Sequence, residues 1–191
     1  MYELRLHQAS RVESGGSMKT LPAKLDPSQV VCLVDTREQN PLDLAPLKTV
    51  AGTLQTGDYA LQGCDEIRIE RKSLPDLIAC VGGDRERFDR EIERLLAFRV
   101  RVLLIEATWE QIESHEPAMP QWRGKVTREA VIGSLLGWQA AGLSVHMAGD
   151  HERAGKHAAR LLYTVANRRY RELRTFSQSM EQRVEPSEAI Q

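Results

Sequence analysis

Three cysteines, at positions 32, 64 and 80, are too few and too scattered for a Cys-x-x-Cys zinc site, and their odd number does not suit a paired framework. They are expected to be reduced thiols in the core of an intracellular protein. The sequence also lacks an apolar run of eighteen residues and a signal-peptide core, so a soluble cytoplasmic protein is expected, neither secreted nor held in a membrane. Excess charge is missing too. With 26 Lys and Arg against 27 Asp and Glu the net charge is −1, which excludes nucleic-acid binding by bulk charge alone. Any basic footprint has to be local.

What is present is enough for one packed domain: 191 residues, of which 41% are hydrophobic. Residues 1–29 are polar and carry Ser14-Gly15-Gly16-Ser17, a linker composition, and are read as a flexible leader. Val30 to Val34 is a continuous apolar run, expected to be a strand buried on both faces and ending at Asp35. Gly57-Asp58-Tyr59 and the alternating stretch Ile67 to Lys72 extend this into a meander of strands. Leu74 to Val81 reads as a short helix. Arg85 to Phe98 reads as a second, with Phe88, Ile92, Leu95 and Leu96 on one face. Val100 to Glu106 is a strand, and a strand after a crossover helix predicts a parallel pair in an α/β sheet flanked by helices.

Thr127 to Ala141 is expected to be helical behind a Thr127 cap, Leu143 to Met147 a short strand, and Glu152 to Leu173 the last helix. The domain is thus placed at 30–174, with 175–191 a polar tail. Between Glu152 and Arg174 there are seven Lys or Arg against two Glu, the local basic surface hidden by the net charge. Arg153, Arg160 and Arg171 on that helix, and Arg123 and Lys125 in the loop beside Trp122, are candidate DNA contacts, the loop residues equally suiting an ordinary solvated turn. Arg87 either faces DNA or the catalytic site, or pairs along its helix with Glu91.

Chemistry points to the strand Ile67 to Lys72. Alternation puts Glu70 and Lys72 on one face, away from Ile67 and Ile69, and a carboxylate beside an ammonium on a rigid strand suits a site that holds a divalent cation next to a water. Upstream stands Gly57-Asp58, and downstream, with three residues between it and Lys72, stands Asp76. Further upstream is Val34-Asp35-Thr36-Arg37-Glu38.

Gly-Asp, a spacer, Glu-Arg-Lys, three residues and Asp, preceded by Val-Asp-x-Arg-Glu, resembles the signature of the XPF family of structure-specific DNA endonucleases, part of the PD-(D/E)xK superfamily. The resemblance runs from about Val30 to about Tyr170. It implies a restriction-endonuclease-like fold and a Mg²⁺- or Mn²⁺-dependent endonuclease without an organic cofactor. The substrate implied is branched or single-strand-containing DNA in repair or recombination. Asp35, Asp58, Glu70 and Lys72 are then the catalytic set. Asp58 and Glu70 would hold the metal, with Asp35 a third ligand or a ligand through water; Lys72 would orient water and meet transition-state charge. Arg37, Glu38, Arg71 and Asp76 match motif positions expected to be supporting, Arg71 pairing Glu38 or Asp76 from the opposite strand face. No helix-hairpin-helix or helicase motif accompanies them, so the chain resembles an isolated nuclease domain of the kind in bacterial, archaeal and phage genomes. The family also contains inactive subunits, and a non-cleaving module that binds DNA or a partner nuclease is the alternative. The basic last helix either lies along DNA or packs a second copy in a homodimer.

Overall fold

The computed structural model describes residues 21–114 and 126–181. Arg123 and Lys125 lie outside them. A six-stranded mixed sheet in the order β2-β1-β3-β4-β5-β6 forms the centre, built from β1 (Val31–Asp35), β2 (Lys48–Gly52), β3 (Tyr59–Leu61), β4 (Cys64–Ser73), β5 (Val100–Glu106) and β6 (Ser144–Met147). β3 runs antiparallel to both β1 and β4, while β1 pairs β2, β4 pairs β5 and β5 pairs β6 in parallel. The expected α/β sheet with helical flanks is thus present.

Among the described residues five α-helices cover it: α1 (Leu74–Val81), α2 (Arg85–Leu95), α3 (Trp109–Glu113), α4 (Arg128–Ala140) and α5 (His151–Glu181). Their starts follow from local chemistry, since the side chains of Ser73, Thr108 and Thr127 accept bonds from the backbone N–H of Asp76, Gln111 and Ala130. The two faces of the sheet are packed separately. Ile67, Ile69, Val102 and Leu104 join Tyr59 and Cys32 under Ala154, Ala158, Leu162 and Val165 of α5. Leu103 and Ile105 face the other way, onto Leu77, Phe88, Ile92, Leu135 and Trp138 of α1, α2 and α4. Burying such side chains supplies the main driving force, each about 1.5–3 kcal/mol.

Some boundaries differ from those read in the sequence. β1 is only partly buried, because it lies near the sheet edge: Cys32 is fully covered while Val31, Leu33 and Val34 are half-buried. The end of the expected leader belongs to the fold, for the hydroxyls of Tyr163 and Tyr170 donate to the carbonyls of Leu25 and Pro22, each at 2.8 Å. The last helix runs past residue 174 to Glu181, since nothing between Thr175 and Met180 breaks a helix. Cys32, Cys64 and Cys80 are free, and burial pushes the thiols of Cys32 and Cys80 up to about 11. No helix among the described residues is long and apolar enough to cross a membrane.

The segment between β1 and β2 is held beneath α5. Leu42 and Leu44 are buried there, and the Leu42 N–H donates to the Tyr59 hydroxyl at 2.9 Å. Gly155 lets the helix come this close, because a Cβ on it would stand 2.6 Å from the Asp43 carbonyl oxygen. Gly155→Ala is therefore expected to destabilise the protein. The backbone overlap, worth about 1–3 kcal/mol, opposes the ~1 kcal/mol gained in helix propensity, and the expected net result is a melting temperature lower by a few degrees. A rise in thermal denaturation temperature would show instead that the 41–44 segment yields freely.

Candidate active site

Alternation along three neighbouring strands brings the acidic residues together. Leu33 pairs Ala60 and Val34 pairs Tyr59, while Tyr59 pairs Ile69, so Asp35, Asp58 and Glu70 fall side by side on the face opposite the α5 core. The backbone fixes this closely: the Asp35 N–H donates to the Asp58 carbonyl and the Asp58 N–H to the Ile69 carbonyl, both at 2.8 Å. Glu70 pairs Leu103 and Lys72 pairs Ile105, so both point to the α1 and α2 side, where the Lys72 ammonium lies 5.1 Å from the centre of the Phe88 ring. Arg71 projects to the other side.

A cleft of about 330 Å³ opens over this end of the sheet, lined by Arg37, Glu38, Gln39, Asn40, Asp58, Arg71, Lys72, Ser73 and Asp76. Asp35 and Glu70 lie behind its wall, 3% and 5% exposed. Two larger grooves among the described residues are lined by α5, and neither is lined by the acidic cluster.

The three carboxylates are in different situations. Asp35 is spoken for: Oδ1 accepts from the Arg37 N–H (2.9 Å) and Nε (2.7 Å), and Oδ2 from the Leu54 N–H (2.7 Å) and Arg37 Nη2 (3.2 Å). The Arg37 hydrogen bonds, above all, hold its pKa below the usual carboxylate range. Asp35 thus clasps the β1 end to the loop before Asp58. Asp58 has one oxygen engaged, Oδ2 accepting from the Arg71 N–H at 2.7 Å. Glu70 is bonded by the Lys72 ammonium through Oε1. Burial raises the pKa of both Asp58 and Glu70, and for Glu70 the charge of Asp58 adds to it. Burial by itself lowers the pKa of Lys72, but Glu70 and Asp58 outweigh it and raise it above the usual value.

Two desolvated carboxylates that resist carrying charge together, with a single ammonium between them, form a donor set short of positive charge. Asp58 and Glu70 fit a hard divalent cation of the Mg²⁺ type, which takes one or two carboxylates and completes its shell with water and substrate oxygens. Among the described residues no group of three or more His, Cys, Asp or Glu side chains is placed to hold a metal ion.

The supporting residues divide. Arg71 forms a fork to Glu106, Nε to Oε1 at 2.7 Å and Nη2 to Oε2 at 3.0 Å, and reaches Glu38 through Nη1 at 3.2 Å. Its expected partnership with Glu38 is present. Asp76 instead accepts from the Ser73 hydroxyl at 2.7 Å and lies in the first turn of α1. Arg87 pairs neither with Glu91 nor with the acidic cluster; it caps back to Asp84 at 3.2 Å.

The basic face of α5 is partly neutralised. Arg153 pairs Asp150, Lys156 pairs Glu152, and Arg168 and Arg169 reach Glu66 and Glu172. Arg153 and Arg160 line one groove of about 450 Å³ with Lys156 and His157. Arg171 stands twenty residues along the helix from His151, roughly 30 Å at 1.5 Å per residue. It is thus remote from the cleft.

Three residues of the neighbourhood escaped the sequence reading. Glu106 ends β5 opposite Ser73, and His151 Nδ1 lies 2.6 Å from its Oε1. The parallel pairing of β4 and β5 is the signal that could have placed Glu106 there. Glu91 on α2 bonds Thr56 and the Gly57 N–H, partners 35 and 34 positions away, and no local pattern announces that.

The sequence model of the ERCC4 domain matches residues 34–161. No curated protein matches. Among solved structures, XPF from Aeropyrum pernix is similar at 18% identity with a TM-score of 0.56, covering 81% of this chain and 74% of that one. A structure of XPF from Aeropyrum pernix in complex with DNA is similar at 18% identity and a TM-score of 0.57, covering 73% of this chain and 66% of that one. At that identity the likeness is one of fold.

Proposed function

The chain belongs to the ERCC4 domain family, and from that premise we propose that it is a divalent-metal-dependent DNA endonuclease acting on branched or single-strand-containing DNA. The observation that carries the reading is the Asp58–Glu70–Lys72 cluster at the end of the parallel pair β4 and β5, in which Asp58 and Lys72 line a cleft with Arg37 and Glu70 is buried beside them. Mg²⁺ or Mn²⁺ held by Asp58 and Glu70 would supply a nucleophilic water near neutral pH and neutralise charge on the phosphate. Asp58 offers the oxygen not engaged by Arg71, and Glu70 the one not engaged by Lys72. Lys72 sits where an ammonium can hold a water against the phosphorus and meet the charge that develops during attack. Arg37, whose side chain is 69% exposed, keeps Asp35 on one side and presents guanidinium to phosphate on the other.

Labelled forks, flaps and single strands incubated with Mg²⁺ or Mn²⁺ test this directly. Cleavage of at least one is expected, and a pure protein inert on all of them with either metal would favour the non-cleaving module. Lys72 gives a finer test. Because it meets charge present only in the transition state, Lys72→Ala is expected to lower kcat by about 100–1000-fold while KM for DNA changes little. A loss confined to KM would reduce Lys72 to a simple phosphate contact.

A further inference from the structure

The loop that delivers Asp58 has two fastenings, and one of them comes from a helix that the catalytic motifs do not include. On the β1 side, Asp35 accepts from the Leu54 N–H and Arg37 donates to the Leu54 carbonyl at 2.8 Å. On the far side, the Glu91 carboxylate of α2 accepts through a single oxygen, Oε1, from the Thr56 hydroxyl and from the Gly57 N–H at 3.2 Å. Thr56 is 3% exposed. Gly57 takes φ +75°, and a Cβ on it would stand 3.2 Å from the Ile69 carbonyl oxygen. The residue before Asp58 is therefore a left-handed turn pressed against β4. An acceptor directed at its N–H holds that turn in place.

We infer that Glu91 is a positioning residue for the metal site: by bonding Thr56 and Gly57 it sets the approach of Asp58 to Glu70. The inference rests on the metal-dependent reading above. Two further observations carry it. Glu91 Oε2 is taken by Arg94, so the carboxylate is oriented with Oε1 toward the loop. Phe88 and Ile92 of the same helix are 1% and 3% exposed in the core beneath Glu70 and Lys72, so α2 is a rigid base for the contact. The sheet carries Glu70, the loop carries Asp58, and Glu91 spans between helix and loop to fix one against the other. Partners of this kind, once removed, typically cost 10–100-fold in metal affinity or activity.

The test uses Mn²⁺ binding to the full chain without DNA, measured by titration calorimetry, alongside turnover on a cleaved fork. Glu91→Ala is expected to weaken Mn²⁺ binding about 10–100-fold and to lower kcat without a matching rise in KM for DNA. Glu91→Gln, whose amide oxygen can accept both bonds, is expected to stay within a few-fold of wild type. Thr56→Val removes one donor at nearly constant volume and should fall between. Combined with Glu91→Ala it should add nothing, because residues sharing one contact are not additive. Arg94→Ala frees Oε2 and loosens the orientation of the carboxylate, so a loss of Mn²⁺ affinity smaller than that of Glu91→Ala is expected. Mn²⁺ affinity unchanged in a folded Glu91→Ala protein overturns the inference, as does Thr56→Val adding its full effect on top of Glu91→Ala. If Glu91→Gln fails as badly as Glu91→Ala, charge rather than positioning is at work and the inference falls in that way. A wild-type protein that binds no Mn²⁺ and cuts nothing would overturn the metal-dependent reading itself, a result separate from any of these.

Discussion

Asp58→Asn is expected to abolish cleavage while leaving the metal-free protein at least as stable as wild type. The metal supplies several kcal/mol of transition-state stabilisation, and at about 1.4 kcal/mol per factor of ten, weakening its hold predicts a loss of roughly 10²–10⁴ in turnover. The backbone need not change, since an Asn oxygen can still accept the 2.7 Å bond from the Arg71 N–H. Stability moves the other way because burial raises the Asp58 pKa in the folded state. A carboxyl with a raised folded pKa binds more protons folded than unfolded, so the stability it permits at low pH is lost as pH rises from its unfolded pKa through its folded one. Asn carries no such charge. At pH 8 without metal, Asp58→Asn is expected to melt at or above the wild-type temperature, and the difference should shrink toward pH 4, where wild-type Asp58 is protonated. Added Mg²⁺ should raise the wild-type melting temperature and leave the variant's nearly unmoved. A variant that melts well below wild type in metal-free buffer would mean that Asp58 holds the fold together, and its inactivity would then say nothing about chemistry.

The largest expected loss of stability is at Arg71. Its side chain is 11% exposed and bridges Glu106 and Glu38, themselves 9% and 7% exposed. Arg71→Ala leaves two covered carboxylates without their cation, and breaking a buried pair this way costs about 3–5 kcal/mol. For a chain of this size that is a fall of roughly 6–20 °C in Tm by calorimetry. Part of the loss should return when Glu106→Gln is added, because the stranded charge is then gone; His151, at 2.6 Å from Glu106, keeps a hydrogen-bonding partner. Arg71→Lys should lie between, retaining charge but losing the two-pronged bond. Cleavage lost with Tm unchanged would show that Arg71 grips phosphate and not its neighbours.

How far the sequence could be read follows from how local each interaction is. Alternation and helical period placed β4, β5, α1, α2 and α4, because the buried sets Ile67/Ile69, Leu103/Ile105 and Phe88/Ile92/Leu95 repeat with the spacing of their own elements. The pairing of Arg71 with Glu38 was legible because strand geometry fixes which way Arg71 points. Where partners come from distant segments, the reading stopped. Asp35 is occupied by Leu54 and Arg37, Glu106 meets Arg71 only through a parallel pairing, and Glu91 meets Thr56 across helix and loop. Arg87 turned to Asp84 rather than Glu91, although four-residue spacing alone allows the latter. The boundary at residue 29 was missed for a related reason: Tyr163 and Tyr170 recruit the carbonyls of Leu25 and Pro22 from far up the chain.

Within β4, Ile69 belongs to the core under α5, Glu70 to the opposite side, Arg71 back to the first and Lys72 again to the second. Inserting or deleting one residue upstream in this strand would exchange the faces, driving Glu70 and Lys72 into hydrocarbon and an isoleucine into the cleft. The strand is accordingly closed to changes in length as a lineage diverges. The one-residue gap between the glutamate and the lysine is thus the pleat of the sheet written into the sequence, and a length variant of this motif has to come with a different strand to carry it.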